Sequence, residues 1–400
     1  MRRIAALLAV IATVAACGSL KDEVSRAASQ PAHELLYVAT STGLSVVDAS
    51  TDSLVAALPP GTLLPDRSRY WTVDSGDRTA VRGLDPATGL EQVSFTLDGR
   101  WAVPTSYGPA PSGISANGRW MVLVAPPVSV TGSGTLNRFA MIDLANKKLD
   151  RIVSANGDVS FDAVSDDGRN LYLIEHLVPA PKYVVRVATF GGSQILGAIK
   201  TAEPEVMNGL YHASVPVGDW FLSLYSNPGR GPFIHALNTT QLFAQCILNI
   251  PDVPVALRPA WSMLLAKKGA RLYAVNGAAG VVSEIDTASL KVLRSNIDLV
   301  PAPATLPGAP NHPAALSADA TRIYAATERG LLVIYTGDLS VRSRYLQDRV
   351  VDSIAVSDDG QRLYVSSGGV ITKVEAATGK PLGTLASAPR ALGLLALGSR

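Results

Sequence analysis

Cysteine is almost missing from this chain. Cys17 and Cys246 are the only two among 400 residues, which excludes a zinc site built on paired CxxC motifs and gives no basis for a disulfide scaffold. Charge is sparse and balanced: Asp, Glu, Lys and Arg make up 17% of the residues, and the formal net charge is +2. Nothing in that balance draws a nucleic acid, so none is expected as a partner. The apolar run over residues 4–16 spans 13 residues, short of the ~20 that a membrane-spanning helix needs. Also absent are a GxSxG nucleophile elbow, an HExxH zinc motif, a phosphate-cradling GxxxxGK[ST] loop and a calcium loop. These absences narrow the chemistry without excluding an enzyme. No cluster of metal-ligating side chains is legible, so no metal or other cofactor is expected.

What is present is hydrophobic and turn-rich. Hydrophobic residues are 47% of the chain, with 34 Gly and 26 Pro. That composition does not suit a disordered chain, and it does suit many short strands joined by turns.

The amino terminus has its own grammar. Met1-Arg2-Arg3 is a positive start, residues 4–16 are apolar, and Val14-Ala15-Ala16-Cys17-Gly18 closes the run with small residues and a cysteine. This segment resembles the bacterial lipobox, which implies cleavage before Cys17 and acylation of that residue. Residues 1–16 are then a signal peptide. Residues 17–34 are polar and rich in small residues, and read as the lipidated cysteine and its tether. Loss of Arg2 and Arg3 from the 35 Lys and Arg leaves 33 against 33 Asp and Glu. Acyl chains contribute roughly 0.8 kcal/mol per buried methylene, so several on Cys17 would hold the protein at a membrane. The expected location is extracytoplasmic, lipid-anchored in a bacterial cell envelope.

Residues 35–400 read as one repetitive domain. Residues 351–385 show the unit: an apolar run, the turn Ser357-Asp358-Asp359-Gly360, a strand with Leu363, Tyr364 and Val365, a Gly368-Gly369 turn, a third strand, the turn Ala377-Thr378-Gly379-Lys380 and a fourth. An aromatic residue marks the second strand of each unit, at Tyr37, Tyr70, Trp120, Tyr172, Trp220, Tyr273, Tyr324 and Tyr364, spaced 33 to 53 residues apart. Such a unit cannot bury both its faces alone. A period near 40–50 residues of four strands each signals an all-β fold, the β-propeller. Eight markers favour eight blades. Seven remain open if the closely spaced Tyr70 unit is absorbed elsewhere. The first unit starts at its second strand and the chain ends on an apolar run, residues 390–397, so pairing the N- and C-terminal strands would close the ring. Residues 126–136 and 179–182 read as inserted loops.

The units resemble the YVTN family of propeller repeats, with Asp286-Thr287-Ala288-Ser289 and Leu36-Tyr37-Val38-Ala39-Thr40 as the nearest echoes. That resemblance implies that loops before first strands and between second and third strands share one face around a central channel. On that mapping Tyr107, His212, Arg258, His312 and Arg349 precede first strands and His176 follows a second strand, and together they form the candidate ligand-binding mouth. The paired carboxylates Asp166-Asp167 and Asp358-Asp359 read as turn residues, and Asp48, Asp85, Asp143 and Asp286 as strand-end residues bonding backbone. Gly308-Ala309-Pro310-Asn311-His312-Pro313 resembles a loop of lactonase-like propellers, which by itself assigns no catalytic residue. Two functions follow as expectations. One is a binding module for a protein or envelope ligand, which is favoured. The other is a lactonase-like hydrolase at the channel mouth.

Overall fold

The structure is a computed structural model and describes residues 34–64, 66–104, 113–130, 134–179, 182–190, 196–198, 200–201, 210–227, 231–266, 269–300, 314–388 and 390–399. Their strands sort into eight sheets, each one blade of a β-propeller, antiparallel except where Lys200–Thr201 adds a short parallel fifth strand to the outer edge of blade 5. Blades 2 to 8 follow chain order, with second strands Tyr70–Ser75, Trp120–Val124, Asn170–Leu177, Trp220–Asn227, Arg271–Asn276, Arg322–Ala326 and Arg362–Ser367. Blade 1 is composite. Its strands Glu34–Thr40, Gly43–Asp48 and Ser53–Leu58 come from the start of the chain, and its innermost strand, Gly393–Ser399, comes from the end. Leu36 pairs with Leu397 and Val38 with Leu394 across that seam. The Tyr70 unit forms its own sheet with Gly61–Leu63, Arg78–Leu84 and Glu91–Asp98, so the ring has eight blades and not seven.

The hydrophobic core is divided among the interfaces between blades. Eight buried clusters are present, and each joins two neighbouring blades. An open row of eight sheets would have seven such interfaces. The eighth, where Leu36, Val38 and Leu394 meet Tyr364 and Ile371, is the seam that closes the ring. Because alternate side chains of a strand point to opposite faces, each second strand serves two clusters. Leu171 and Leu173 pack toward blade 3, while Tyr172 and Ile174 pack toward blade 5.

The recurring aromatic has a second task. Tyr172 donates its hydroxyl to the Thr239 carbonyl of the next blade at 2.8 Å, and Tyr364 donates to Glu34 across the seam at 2.5 Å. The turns repeat as well. Ser165 donates to Asp167 and accepts the Asn170 N–H, and Ser357 does the same with Asp359 and Arg362. Asp48 and Asp85 accept backbone N–H groups two and three residues on, as strand-end residues should.

Blade 3 departs from the expected pattern. The first-strand position of blade 3 holds isolated bridges, Ile114 to Met121 and Ala102 to Val124. Residues 126–136, expected as a loop, contain the strand Val128–Val130, which folds onto the start of Gly134–Asp143. Its Val-Ser-Val run has the β-branched character that extends a hairpin.

Closure makes a direct prediction. Truncation after Leu392 removes the innermost strand of blade 1 and exposes its neighbours, which should cost at least about 3 kcal/mol and broaden thermal unfolding. A truncated chain that keeps the full-length midpoint and cooperativity would contradict it.

Candidate functional site

Antiparallel order within each blade sorts the connections onto two faces. Loops from second to third strands and links from one blade to the next share one face. The tight turns after first and third strands share the other. The linking face carries a cavity of about 330 Å³ between blades 2, 3 and 4. Apolar groups from Val124, Pro126, Phe139 and Phe161 form its wall, and Arg100 and Ser160 contribute polar atoms. Arg100 pairs with Asp77 at 3.5 Å and is largely exposed.

His176 stands beside this cavity. It lies inside the strand Asn170–Leu177 and not after it, and its Nε2 is 3.0 Å from the Ser160 hydroxyl. His212 also differs from expectation: it belongs to the strand Leu210–Val217, where a register shift between Tyr211 and Ala213 makes it the bulged residue. A bulge re-aims one side chain without breaking the sheet. His212 Nε2 meets the Ser226 hydroxyl at 2.6 Å. Burial, helped by the Arg258 charge, pushes its pKa down to about 4.

Arg258 sits in the short 3-10 helix Val255–Ala260 that links blades 5 and 6. It is buried, and one of its amino groups lies 3.1 and 3.2 Å from the two Asp252 oxygens. Its Nε has no hydrogen-bond partner among the described residues. His212 and Arg258 are therefore brought together. Arg349 lies on the same face in the link to blade 8, and pairs with Asp348 at 2.9 Å, a hydrogen bond that raises its pKa. No described contact joins Arg349 to the His212–Arg258 pair. Tyr107, His312 and Cys17 lie outside the described residues.

One group escapes the recurring patterns. Asp162 is the bulged residue of the first strand of blade 4, Val159–Val164, as His212 is of the first strand of blade 5. Burial pushes its carboxyl up to about 6. The signal in the sequence is a lone carboxylate inside a first-strand apolar run. Among the described residues, no group of three or more His, Cys, Asp or Glu is placed to hold a metal ion.

Fold and site together define an eight-bladed β-propeller with a cavity at each mouth of its ring. No family model matches the sequence, and no curated protein matches it. Solved structures do. The chain is similar to the dihydro-heme d1 dehydrogenase NirN in complex with DHE, at 12% identity and a TM-score of 0.54, over 93% of this chain and 76% of that one. It is also similar to apo AztD from Citrobacter koseri, at 13% identity and a TM-score of 0.54, over 92% of this chain and 97% of that one. At such identities the likeness is one of fold.

The histidine environment sets a pH dependence. His212 is held neutral in the folded chain and has an ordinary value of 6.5. Its contribution is present above 6.5 and is lost as pH falls through about 4. His212→Gln should therefore lose about 1–2 kcal/mol less stability than wild type over that descent. His235, also pushed to about 4 by burial, keeps its own share in both proteins. Parallel stability–pH curves would contradict this.

Proposed function

We propose that the protein is a lipid-anchored, extracytoplasmic binding module of YVTN-type propeller repeats that engages an envelope protein through its linking face. The observation that carries this reading is the distribution of exposed apolar side chains. Val128 and Val178 protrude from second-to-third connections, and Val255, Ile297, Val350 and Leu392 from links between blades. Val178 is 98% exposed and Val255 70%. Others, such as Leu54, Leu90 and Leu293, are scattered over outer strands and turns, as single exposed apolar residues ordinarily are, whereas the six here follow one rim and support a protein contact there. Tyr107, His176, His212, Arg258, His312 and Arg349 are proposed to supply polar contacts within that rim.

Val178→Asp combined with Val255→Asp should leave the melting midpoint unchanged and cut recovery of the partner on native purification from membranes at least tenfold. Unchanged recovery would remove the reading. The anchor is tested separately. Cys17→Ser should abolish incorporation of a labelled fatty acid and release the protein from the membrane fraction, and continued labelling would refute the assignment.

A lactonase-like hydrolase is the second reading. The 3.0 Å approach of Ser160 to His176 favours it, because a hydroxyl beside an imidazole is a nucleophile with its base. It requires that purified protein open a lactone and that Ser160→Ala abolish the reaction. No turnover by the wild type leaves the binding module as the account.

A further inference from the structure

The turn face holds a second cavity, about 100 Å³, where blades 2 to 5 approach the channel. Its walls are apolar and aromatic: Leu63, Ile114, Phe161, Val164, Trp220 and Phe221. Two carboxylates, Asp162 and Asp166, line it, and no Lys, Arg or His does. Asp166 is already committed, accepting the Asn117 N–H at 2.9 Å. Asp162 makes no hydrogen bond or ion pair with any described residue. The Tyr211 hydroxyl, close enough to feel the Asp162 charge, donates instead to Ser214 at 2.7 Å. Ser214 itself lines the cavity.

Asp162 is half-buried, and the apolar walls beside it solvate its carboxylate less well than an open surface would, so a cation seated there gains more from the charge. The space and the walls define the missing partner. At ~30 Å³ for one water, the cavity takes about three to five non-hydrogen atoms. A strongly hydrated metal ion gains nothing from aromatic walls and finds too few oxygens. An alkylammonium meets both conditions. Its charge is attracted by the carboxylate and by aromatic faces, and its carbons bury against Leu63 and Ile114.

We propose that this cavity is a binding site for a small organic cation, with a short alkylammonium group seated against the Asp162 carboxylate and its N–H groups within reach of the Ser214 hydroxyl. The site is independent of the linking face and of the partner proposed there. Asp162 supplies the charge, Phe161, Trp220 and Phe221 the aromatic contacts, and the turn residues Asp166 and Gly218 the rim.

The test is calorimetric titration of the whole folded protein at neutral pH with propylammonium chloride, alongside propan-1-ol, sodium chloride and magnesium chloride. Propylammonium should bind one site per chain and raise the melting midpoint. The isosteric alcohol and the two salts should do neither. Asp162→Asn should weaken propylammonium at least tenfold, and Ser214→Ala several-fold. Ser214→Ala leaves the Asp162 charge in place and keeps the comparison available if Asp162→Asn does not fold. Equal responses to the alcohol, equal responses to the salts, no binding at millimolar concentrations, or binding unchanged in both variants would each overturn the proposal.

Discussion

Pairing of the two chain ends in blade 1 is the constraint on which the other contacts depend. Each blade has two broad apolar faces and no core of its own, so every sheet is stable only between two neighbours. Gly393–Ser399 beside Glu34–Thr40 supplies the missing interface. Side-chain contacts reinforce it from both sides. Tyr364 reaches Glu34, Asp52 accepts from Ser387, and Lys373 donates to the Ala49 carbonyl at 2.7 Å. Without the seam, one apolar face of blade 1 and one of blade 8 would meet water, and two sheet edges would lie open.

Closure also fixes where chemistry can sit. First strands ring the channel, and a bulge in a first strand turns one side chain out of the regular alternation. Two adjacent blades use this device, with Asp162 in blade 4 and His212 in blade 5. Burial moves the two groups in opposite senses, since each environment disfavours the charged form. Phe161, next to Asp162, lines both cavities, so one aromatic side chain stands between the two mouths. The faces differ in character as well. The linking face carries exposed valines and an isoleucine, whereas the turn face is built from tight Ser–Asx turns.

Much of the architecture was legible because the same local physics recurs eight times. Every aromatic marker lies in a second strand, where a large ring can fill one interface and several hydroxyls reach the next blade. Asp167 and Asp359 are turn residues because their carboxylates tie down neighbouring N–H groups. The serine two positions before each is equally regular, and its role is not visible in the sequence, since its two hydrogen bonds exist only once the turn forms. The site was less legible. Strand register decides whether His176 and His212 lie in strands or loops, and register depends on pairing with the neighbouring strand. Asp162 followed no recurring pattern, and its meaning comes from walls contributed by other blades. Blade 3 hid its first strand because only single bridges remain there.

The central claim is that one face of the ring meets another protein. The most direct measurement is photo-crosslinking in intact cells from single unnatural side chains placed at Val178 and Val255, compared with Leu90 and Leu382 on the turn face. The account predicts one defined protein adduct from the first pair and none from the second. Adducts of equal yield from both faces, or none from the linking face, would contradict it.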